Sequence, residues 1–484
     1  MEPLTSLIQA MGAVPVVLTV LLSLITSAHV VLYKRDSRAA VAWVGLVWLA
    51  PIVGSALYAL LGINRIRRQA AGQRAQRPFI GSGEIPRMLA PAERATLPDQ
   101  VSHFHTLAEL VDRVADRPLT AGNSVTPLID GEEAYPEMIA AIDGAERSVA
   151  LCTYIFDDDY AGRLFLDALE RATSRGVEVR VLIDTVGARY SHPPIQRELK
   201  HRGVPHALFG RTRVPWRMPY MNLRSHRKIL VVDGRLAFTG GMNIREGHLV
   251  VRPSRNPTQD MHFRVEGPVV AQLMRTFCED WAYTTHESLD GEQWFPALSR
   301  VGGVAARAVN DGPDEDFEKA RFVLLGALAC AQKSVRIVTP YFLPDSGIIS
   351  ALDVTALRGV RVEIILPEKN NLAFVQWAST AQLWQVLHRG AHVFYARPPF
   401  DHSKMMLVDG GWSLFGSTNW DSRSLRLNFE IIVEAYDTAL AAKLNEIVDA
   451  KLEGAREVTA DEVNGRSLPV KLRDGVARLA APYL

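Results

Sequence analysis

The chain has 484 residues, of which 48% are hydrophobic and 22% charged, so it is too long for one ordinary domain and too apolar for a disordered protein. Its 54 basic and 53 acidic residues leave a formal net charge of +1, which disfavours a protein that wraps nucleic acid through an overall positive field. The three cysteines, Cys152, Cys278 and Cys330, are far apart and show no CxxC spacing, which excludes a disulfide framework or a cysteine zinc site.

The first 63 residues contain two long apolar runs without charge, 12–32 and 39–63, joined by a polar turn at 34–38. About 20 such residues cross a bilayer as a helix, so the sequence predicts a two-helix transmembrane hairpin. A cleaved signal peptide is disfavoured because no basic segment precedes the first run, and a buried globular helix pair because charge-free runs of this length are rare in soluble cores.

The distribution of basic residues predicts the orientation of this hairpin. Three Lys or Arg residues lie in the turn and five lie in 65–77, after the second run. The positive-inside rule therefore predicts that the N-terminus and the large C-terminal part face the cytoplasm.

Residues 64–120 are predicted to be a polar linker with one short amphipathic helix over Phe104–Val114. This helix could dock on the body of the protein or lie at the membrane surface, and docking is favoured. Two domains are expected to follow, at 121–300 and 301–484.

The chain repeats itself beyond the linker. Segments 145–156 (AERSVALCTYIF) and 331–342 (AQKSVRIVTPYF) are alike, and so are 175–184 (RGVEVRVLID) and 358–367 (RGVRVEIILP). In each copy helices alternate with β-branched strands, which predicts an α/β fold of two tandem α/β/α sandwich domains, each with a largely parallel sheet, packed about a pseudo-twofold axis.

A motif of polar residues also occurs once in each copy, at one constant offset. Each begins with His-x-Lys, continues through an apolar run to Asp, and after six further residues reaches Gly-x-x-Asn. The residues are His226, Lys228, Asp233 and Asn243 in the first copy, and His402, Lys404, Asp409 and Asn419 in the second.

This spacing suits chemistry on a phosphodiester. The apolar run is a predicted strand, so the His and Lys two residues apart lie on one face. Lys and Asn donate to phosphate oxygens, whereas His can attack phosphorus or transfer a proton near neutral pH. Two such halves predict one histidine as nucleophile and the other as general acid and base. A metal held by the two histidines is disfavoured because each neighbouring Lys would repel it.

The paired HxK(x)4D motifs resemble those of the phospholipase D superfamily, whose members act without a metal or cofactor. The resemblance implies phospholipase D-like domains, with His226 as the nucleophile, His402 as the acid and base, and Asp233 and Asp409 in mostly structural roles within the catalytic motifs. It also implies that a carboxylate orients each histidine, and the matching positions are Asp260 and Glu430. The physical reason is control of the imidazole tautomer.

Nearly the whole chain is similar to the bacterial cardiolipin synthases, including 43–54, 154–169, 226–244, 339–345 and 416–430. That resemblance implies transesterification of two phosphatidylglycerols to cardiolipin and glycerol at the bacterial inner membrane, with phosphatidylglycerol and cardiolipin as lipid partners and no nucleic acid. The alternatives are a hydrolase or a transferase with another donor or acceptor, a catalytically inactive membrane scaffold, and a DNA phosphodiesterase. Lipid preference and oligomeric state stay open.

Overall fold

The computed structural model describes residues 2–34, 37–62, 95–191, 193–210, 224–313 and 317–481. They form two compact units, an N-terminal helical unit and a larger α/β unit, each described by itself below. Residues 35–36 of the predicted turn (34–38) and residues 63–94, which include most of the predicted linker (64–120), lie outside the described residues.

The N-terminal unit contains a long helix followed by two short ones. Its elements are α1 (Glu2–Tyr33), α2 (Ser37–Leu49), α3 (Pro51–Leu57) and a π-helical turn (Tyr58–Gly62). The segment Pro15–Tyr33 of α1 has 19 residues and a mean hydropathy of 2.2, so its length and composition suffice to cross a membrane.

The sequence predicted one helix over the second apolar run, 39–63, but the structure divides this run into separate helices. Ala50 has non-helical dihedral angles, φ −141° and ψ 76°, because the following Pro51 disfavours a helical conformation there. The chain folds back at this point, which places the ring of Trp43 5.4 Å from that of Tyr58. A Cβ on Gly54 would lie 2.6 Å from the carbonyl oxygen of Leu46, so only glycine permits this close approach of α2 and α3.

The α/β unit contains twelve helices in the described residues. They are α4 (His105–Val114), α5 (Asp130–Asp143), α6 (Tyr160–Ser174), α7 (Gln196–His201), α8 (Val270–Thr285), α9 (Lys319–Cys330), α10 (Ser346–Leu357), α11 (Ala373–Thr380), α12 (Leu383–Leu387), α13 (Thr438–Leu452), α14 (Ala460–Gly465) and α15 (Leu468–Leu479). Short 3-10 turns cover Asp99–Phe104, Gly187–Arg189 and Glu246–His248.

The strands follow the duplication of the sequence. Those of the first copy are β1 (Thr120–Ile129), β2 (Ser148–Thr153), β3 (Glu178–Asp184), β4 (His206–Phe209), β5 (Arg224–Ser225), β6 (Ile229–Val232), β7 (Leu236–Gly240), β8 (Thr258–Gln259) and β9 (Met261–Glu266). Those of the second are β10 (Val304–Asp311), β11 (Ser334–Val338), β12 (Phe342–Leu343), β13 (Arg361–Pro367), β14 (His392–Ala396), β15 (Phe400–Asp401), β16 (Met405–Val408), β17 (Trp412–Gly416), β18 (Trp420–Asp421), β19 (Asn428–Tyr436) and β20 (Arg456–Val458).

Both copies use the same order of seven strands, the second copy adds β20 at its edge, and one continuous sheet joins them. The order runs β4-β3-β2-β6-β7-β9-β1 and continues as β10-β19-β17-β16-β11-β13-β14-β20. The antiparallel pair β1 and β10 connects the copies. All six residues of β2 are buried, as expected for a strand covered on both faces.

The sheet is mixed, whereas the sequence predicted a largely parallel one. Along the main strand order, β2, β3 and β4 pair in parallel in the first copy, as do β11, β13 and β14 in the second. The short pairs β12–β18, β8–β15 and β5–β19 are also parallel. The motif strands β6 and β7, like β16 and β17, are antiparallel because a turn of three residues joins each pair. Asp233 and Gly234 have φ angles of 52° and 64°, and Asp409 and Gly410 have 51° and 63°, as in the Asp-Gly turns of tight hairpins.

The predicted amphipathic helix is present and docks on the second copy. The helix α4 begins at His105, and its residues Leu107 and Val111 are fully buried together with Phe104. They belong to the hydrophobic core that contains Val323 and Leu352 of the second copy. The docking alternative is therefore confirmed.

Candidate active site

The two His-Lys pairs stand immediately before β6 and β16, and backbone hydrogen bonds hold each pair against the other copy. The amide of His226 donates to the carbonyl of Phe429 at 2.9 Å, and that of His402 donates to the carbonyl of Gln259 at 2.7 Å. The first motif therefore adjoins β19 of the second copy, and the second motif adjoins β8 of the first.

A carboxylate from the opposite copy contacts each imidazole. Nδ1 of His226 lies 3.1 Å from Oε2 of Glu430, and 3.2 Å from the carbonyl oxygen of Ser417. Nδ1 of His402 lies 2.7 Å from Oδ2 of Asp260. Since these partners are acceptors, Nδ1 of each ring carries the proton, and the lone pair of the neutral ring is on Nε2.

Both carboxylates are buried and held by further donors. Glu430 accepts from the Ser417 hydroxyl at 2.5 Å and from the Asn428 amide at 3.1 Å. Burial alone would raise the pKa of Glu430, but the nearby His226 and Lys228 hold it below its ordinary value. Burial raises the pKa of Asp260, which accepts from the Met261 amide at 2.7 Å.

Desolvation favours the neutral form of the imidazoles and of the two amines. Burial lowers the pKa of His226, and burial together with Lys404 and Lys228 lowers that of His402 well below its usual range. Burial also lowers the pKa of Lys228 to about 7 and that of Lys404 to about 8. A phosphodiester anion among these groups would stabilise their protonated forms.

Each lysine is anchored to its own motif. Nζ of Lys228 donates to the carbonyl of His226 at 2.6 Å, and Nζ of Lys404 donates in the same way to the carbonyl of His402. An ammonium group has three N–H bonds, so this contact fixes the amine while leaving donors for phosphate oxygens.

The two motif asparagines are both buried but have different hydrogen-bond partners. The side-chain oxygen of Asn243 accepts from the Ile155 amide at 3.1 Å, which leaves its NH₂ group as the donor. The NH₂ group of Asn419 donates to the Ser424 hydroxyl at 3.2 Å. The glycines before them, Gly240 and Gly416, have φ angles of 152° and 154°, and a Cβ on either would clash with a neighbouring strand.

The two motif aspartates, predicted as part of the catalytic motifs, lie at the other end of β6 and β16. Oδ1 of Asp233 accepts from the amides of Arg147 and Ser148 at 2.7 and 2.8 Å, where β2 begins. Asp409 accepts from Lys333 and Ser334 at 2.7 and 2.9 Å. Five residue steps of about 3.3 Å separate each aspartate from the lysine of its motif, a distance of about 16 Å along the strand, so the structure does not bring them to the imidazoles.

Comparison with known proteins agrees with this geometry. The family described as cardiolipin synthase, PLD-like domain, matches residues 138–281 and 324–452, and a phospholipase D-nuclease N-terminal family matches 21–62. Cardiolipin synthase A of Pseudomonas entomophila is 31% identical over 96% of each chain. The major cardiolipin synthase ClsA of Bacillus subtilis is 31% identical over 94% of this chain and 96% of its own.

The chain belongs to the bacterial cardiolipin synthases of the phospholipase D superfamily. It is thus a phosphatidyltransferase of that superfamily, with two tandem phospholipase D-like domains. A crystal structure of phosphatidylserine synthase from Haemophilus influenzae Rd KW20 shares the fold, with a TM-score of 0.62 and 17% identity, covering 78% of this chain and all of that one.

Several polar and aromatic neighbours of the cardiolipin synthase motifs were not found by sequence reasoning. Ser417, which donates to Glu430, could have been noticed in the sequence because it stands inside the second Gly-x-x-Asn motif. Tyr154, whose ring centroid lies 5.2 Å from that of His226, and His248, 6.5 Å from that of His402, had no such sequence signal. The position of Asp401 directly before His402 is visible in the sequence, but its partner is not: Asp401 pairs with Lys451 at 2.7 Å, a contact that depends on the docking of α13.

Proposed function

We propose that the protein joins two phosphatidylglycerol molecules into cardiolipin and glycerol, with His226 carrying the phosphatidyl group between the two steps. The observation that carries this proposal is the crossed pair of His–carboxylate contacts, which directs Nε2 of both imidazoles away from the carboxylates within one buried site. We also infer that the two copies are related by a pseudo-twofold axis, since their strand orders are the same.

In the first step Nε2 of His226 attacks phosphorus, and the bond from phosphorus to the glycerol headgroup breaks. His402 is protonated on both nitrogens at this stage and gives its Nε2 proton to the departing glycerol oxygen. The negative charge of the bound phosphodiester favours this imidazolium, despite the burial that lowers the pKa of His402 in the empty site.

In the second step the hydroxyl of the second phosphatidylglycerol attacks phosphorus and gives its proton to Nε2 of His402. The phosphorus–nitrogen bond breaks, and His226 is restored. Lys228, Lys404 and Asn243 are placed to donate to the phosphate oxygens as charge develops, so this chain supplies the positive charge and the scheme needs no cofactor.

A lipid assay in EDTA tests the proposal. Membranes that contain the wild type or His226→Ala are incubated with phosphatidylglycerol labelled in the headgroup, and the products are separated. We expect cardiolipin and labelled glycerol from the wild type only. Phosphatidic acid as the sole product would instead support the hydrolase, and absence of turnover with this donor would contradict the proposal.

We further propose that α1 anchors the protein in the bacterial inner membrane, with the α/β unit on the cytoplasmic side. The multi-pass topology stays a prediction, since a second crossing by 39–63 requires α2 and α3 to align into one helix. Reporter fusions at the N-terminus and after Gly62 test it. Signals on the same side support two crossings, whereas signals on opposite sides support one crossing by α1 and a segment that turns back.

A further inference from the structure

The helix α15 presents its large apolar side chains to the outside. These side chains are each exposed by 61% to 77%, and they are Leu468, Leu472, Val476 and Leu479. Their spacing places them within an arc of about 80° on one side of the helix. The opposite side carries Asp474 and Ala477, which are both buried. A surface helix normally turns its apolar stripe to the core, so α15 has the reverse arrangement.

The neighbouring helix α11 extends this apolar surface. It packs against α15, since Val375 and Ala378 share a small hydrophobic core with Ala477. No residue of α11 is charged, and Leu372 and Phe374 at its beginning are 51% and 41% exposed. We call the exposed residues of both helices the apolar face, which comprises Leu372, Phe374, Leu468, Leu472, Val476 and Leu479.

Basic residues border the apolar stripe of α15 on both sides. Arg473 lies on one side, where its guanidinium stands 4.4 Å from the ring centroid of Trp377, and Lys471 and Arg478 lie on the other. The single acidic residue of α15, Asp474, is buried and accepts from Arg473 at 2.9 and 2.7 Å. An exposed apolar stripe between basic borders is typical of helices that lie in a membrane interface.

The apolar face is connected to the wall of the candidate active site. The core shared by the two helices also contains Leu343, and Tyr341 packs against it. The Tyr341 hydroxyl donates to Oδ1 of Asn371, just before α11, at 2.9 Å. The ring centroid of Tyr341 lies 6.2 Å from that of His402. One aromatic side chain therefore separates the two helices from a proposed catalytic histidine.

We propose that the apolar face inserts into the surface of a bilayer that contains anionic phospholipid. The α/β unit would then contact the membrane itself, in addition to the proposed anchor α1. A lipid surface fits better than a protein partner because the basic borders complement anionic headgroups and because the adjoining site belongs to a phosphatidyltransferase. A phospholipid that enters the site from a docked bilayer avoids exposing both acyl chains to water. The inference does not depend on which alcohol accepts the phosphatidyl group.

A quencher carried by the lipid tests this contact directly. The purified full chain has Cys330→Ser as background, because Cys152 and Cys278 are buried, and carries a fluorescent label at Leu472→Cys. It is reconstituted in vesicles of phosphatidylcholine and phosphatidylglycerol whose acyl chains bear a nitroxide. We expect this label to be quenched at least about twofold more strongly than a label at Leu357→Cys.

Leu357 is the matched control for this experiment. It is also a leucine on a helix, with 66% exposure, and it ends α10. The strand that follows, β13, begins with Arg361, which pairs with Ser334 beside Asp409. The control position therefore lies at the end of the sheet opposite to the His-Lys motifs. Equally weak quenching at Leu472 and Leu357 would overturn the proposal.

The charge of the lipid provides a second readout. We expect quenching at Leu472→Cys to fall to the level of the control in vesicles of phosphatidylcholine alone, and in about 1 M salt, where exposed charges are screened beyond about 3 Å. The double variant Lys471→Gln/Arg478→Gln should show the same loss in the mixed vesicles. Quenching that is independent of lipid charge, salt and both substitutions would contradict the part of the proposal that concerns anionic lipid.

An acidic substitution tests whether the contact serves the enzyme. We expect Leu472→Glu to raise the KM for phosphatidylglycerol in vesicles by at least about tenfold, since a carboxylate opposes insertion. Leu357→Glu should stay within about twofold of the wild type. Because both leucines are exposed, both variants should unfold at the temperature of the wild type.

The remaining results separate other partners from the bilayer. A label at Leu472 that escapes the lipid quencher but is shielded from a water-soluble one, in chains that cross-link in pairs, would show that a second copy covers the face, and would overturn the proposal. The quenching needs no turnover. A chain that docks but forms no cardiolipin would therefore contradict the proposed function while supporting the membrane contact.

Discussion

The two proposed catalytic histidines are held at one ring nitrogen and open at the other. Nδ1 of His226 and of His402 contacts a carboxylate that is fully buried, so turning either ring would cost that carboxylate one of its buried hydrogen bonds. The partners are unequal, since the pKa of Glu430 is held below its ordinary value whereas burial raises that of Asp260. Glu430 is therefore the more firmly ionised of the two carboxylates. Its negative charge favours His226 as the ring that develops positive charge when it attacks phosphorus.

Chemical trapping tests this assignment at the level of the residue. The wild type is mixed with phosphatidylglycerol, quenched in alkali within one turnover, and digested for mass spectrometry of the peptides. We expect the phosphatidyl adduct on the peptide that contains His226, and its loss in His226→Asn. An adduct on the peptide of His402 would reverse the two roles.

The lysines predict a pH dependence. Burial lowers the pKa of Lys228 to about 7 and that of Lys404 to about 8, so the free enzyme loses these positive charges as the pH rises through this range. We expect kcat/KM for phosphatidylglycerol to fall as the pH rises above about 7. Bound substrate raises both pKa values, so the alkaline fall in kcat should occur at higher pH. Profiles of kcat and kcat/KM that coincide and stay flat to pH 9 would contradict this expectation.

At the level of secondary-structure elements, the motif aspartates connect strands. Asp233 begins the turn between β6 and β7, and its carboxylate caps the backbone amides where β2 begins. Asp409 does the same for β16, β17 and β11, and also contacts Nε2 of His103 at 3.1 Å. The conserved spacing between the two copies thus reflects a hairpin as much as the chemistry.

Replacement of Asp233 should therefore affect stability more than catalysis. We expect Asp233→Ala to lower the free energy of unfolding by about 2 kcal/mol, because three backbone amides lose a charged acceptor. The turnover number of the folded fraction should change less than about fivefold, since the carboxylate is remote from the imidazoles. Thermal denaturation and initial rates measure the two effects. A large loss of turnover at unchanged stability would instead show that Asp233 takes part in catalysis.

The elements also show where sequence reasoning succeeded and where it failed. Strong local patterns located the docked helix α4 and the strands that carry the motifs, because periodicity and composition act within a few residues. The mixed sheet was missed although Asp233-Gly234 and Asp409-Gly410 are recognised hairpin signals. The sequence prediction of one helix over 39–63 is wrong because Pro51 interrupts the helix at Ala50 despite the hydrophobic residues on both sides.

For the whole molecule, the duplication is the feature that determines the candidate site. The sequence supplied the ten proposed site residues, but it did not assign Glu430 to His226 or Asp260 to His402. That pairing depends on the junction of β1 with β10, which brings β9 and β19 to either side of the centre. Contacts between segments far apart in the chain leave no local pattern.

The junction of the copies also contains a buried ion pair next to the catalytic motif. Arg227 follows His226, and its guanidinium donates to Asp280 of α8 at 2.6 Å and to the carbonyl of Glu430 at 3.0 Å. Both charged side chains are almost inaccessible, with 2% exposure each. Because one group links α8 of the first copy with β19 of the second, its loss should weaken the junction as a whole.

We expect Arg227→Met to destabilise the protein by roughly 3–5 kcal/mol, since it leaves the Asp280 carboxylate buried without this cation. The double variant Arg227→Met/Asp280→Leu should recover a large part of the loss, because it removes the uncompensated charge while keeping similar volume. Calorimetry of the wild type, both single variants and the double variant measures the coupling. If the two single losses simply add in the double variant, the pair does not stabilise the junction as a unit, and the contact of Arg227 with the Glu430 carbonyl becomes the more important link between the copies.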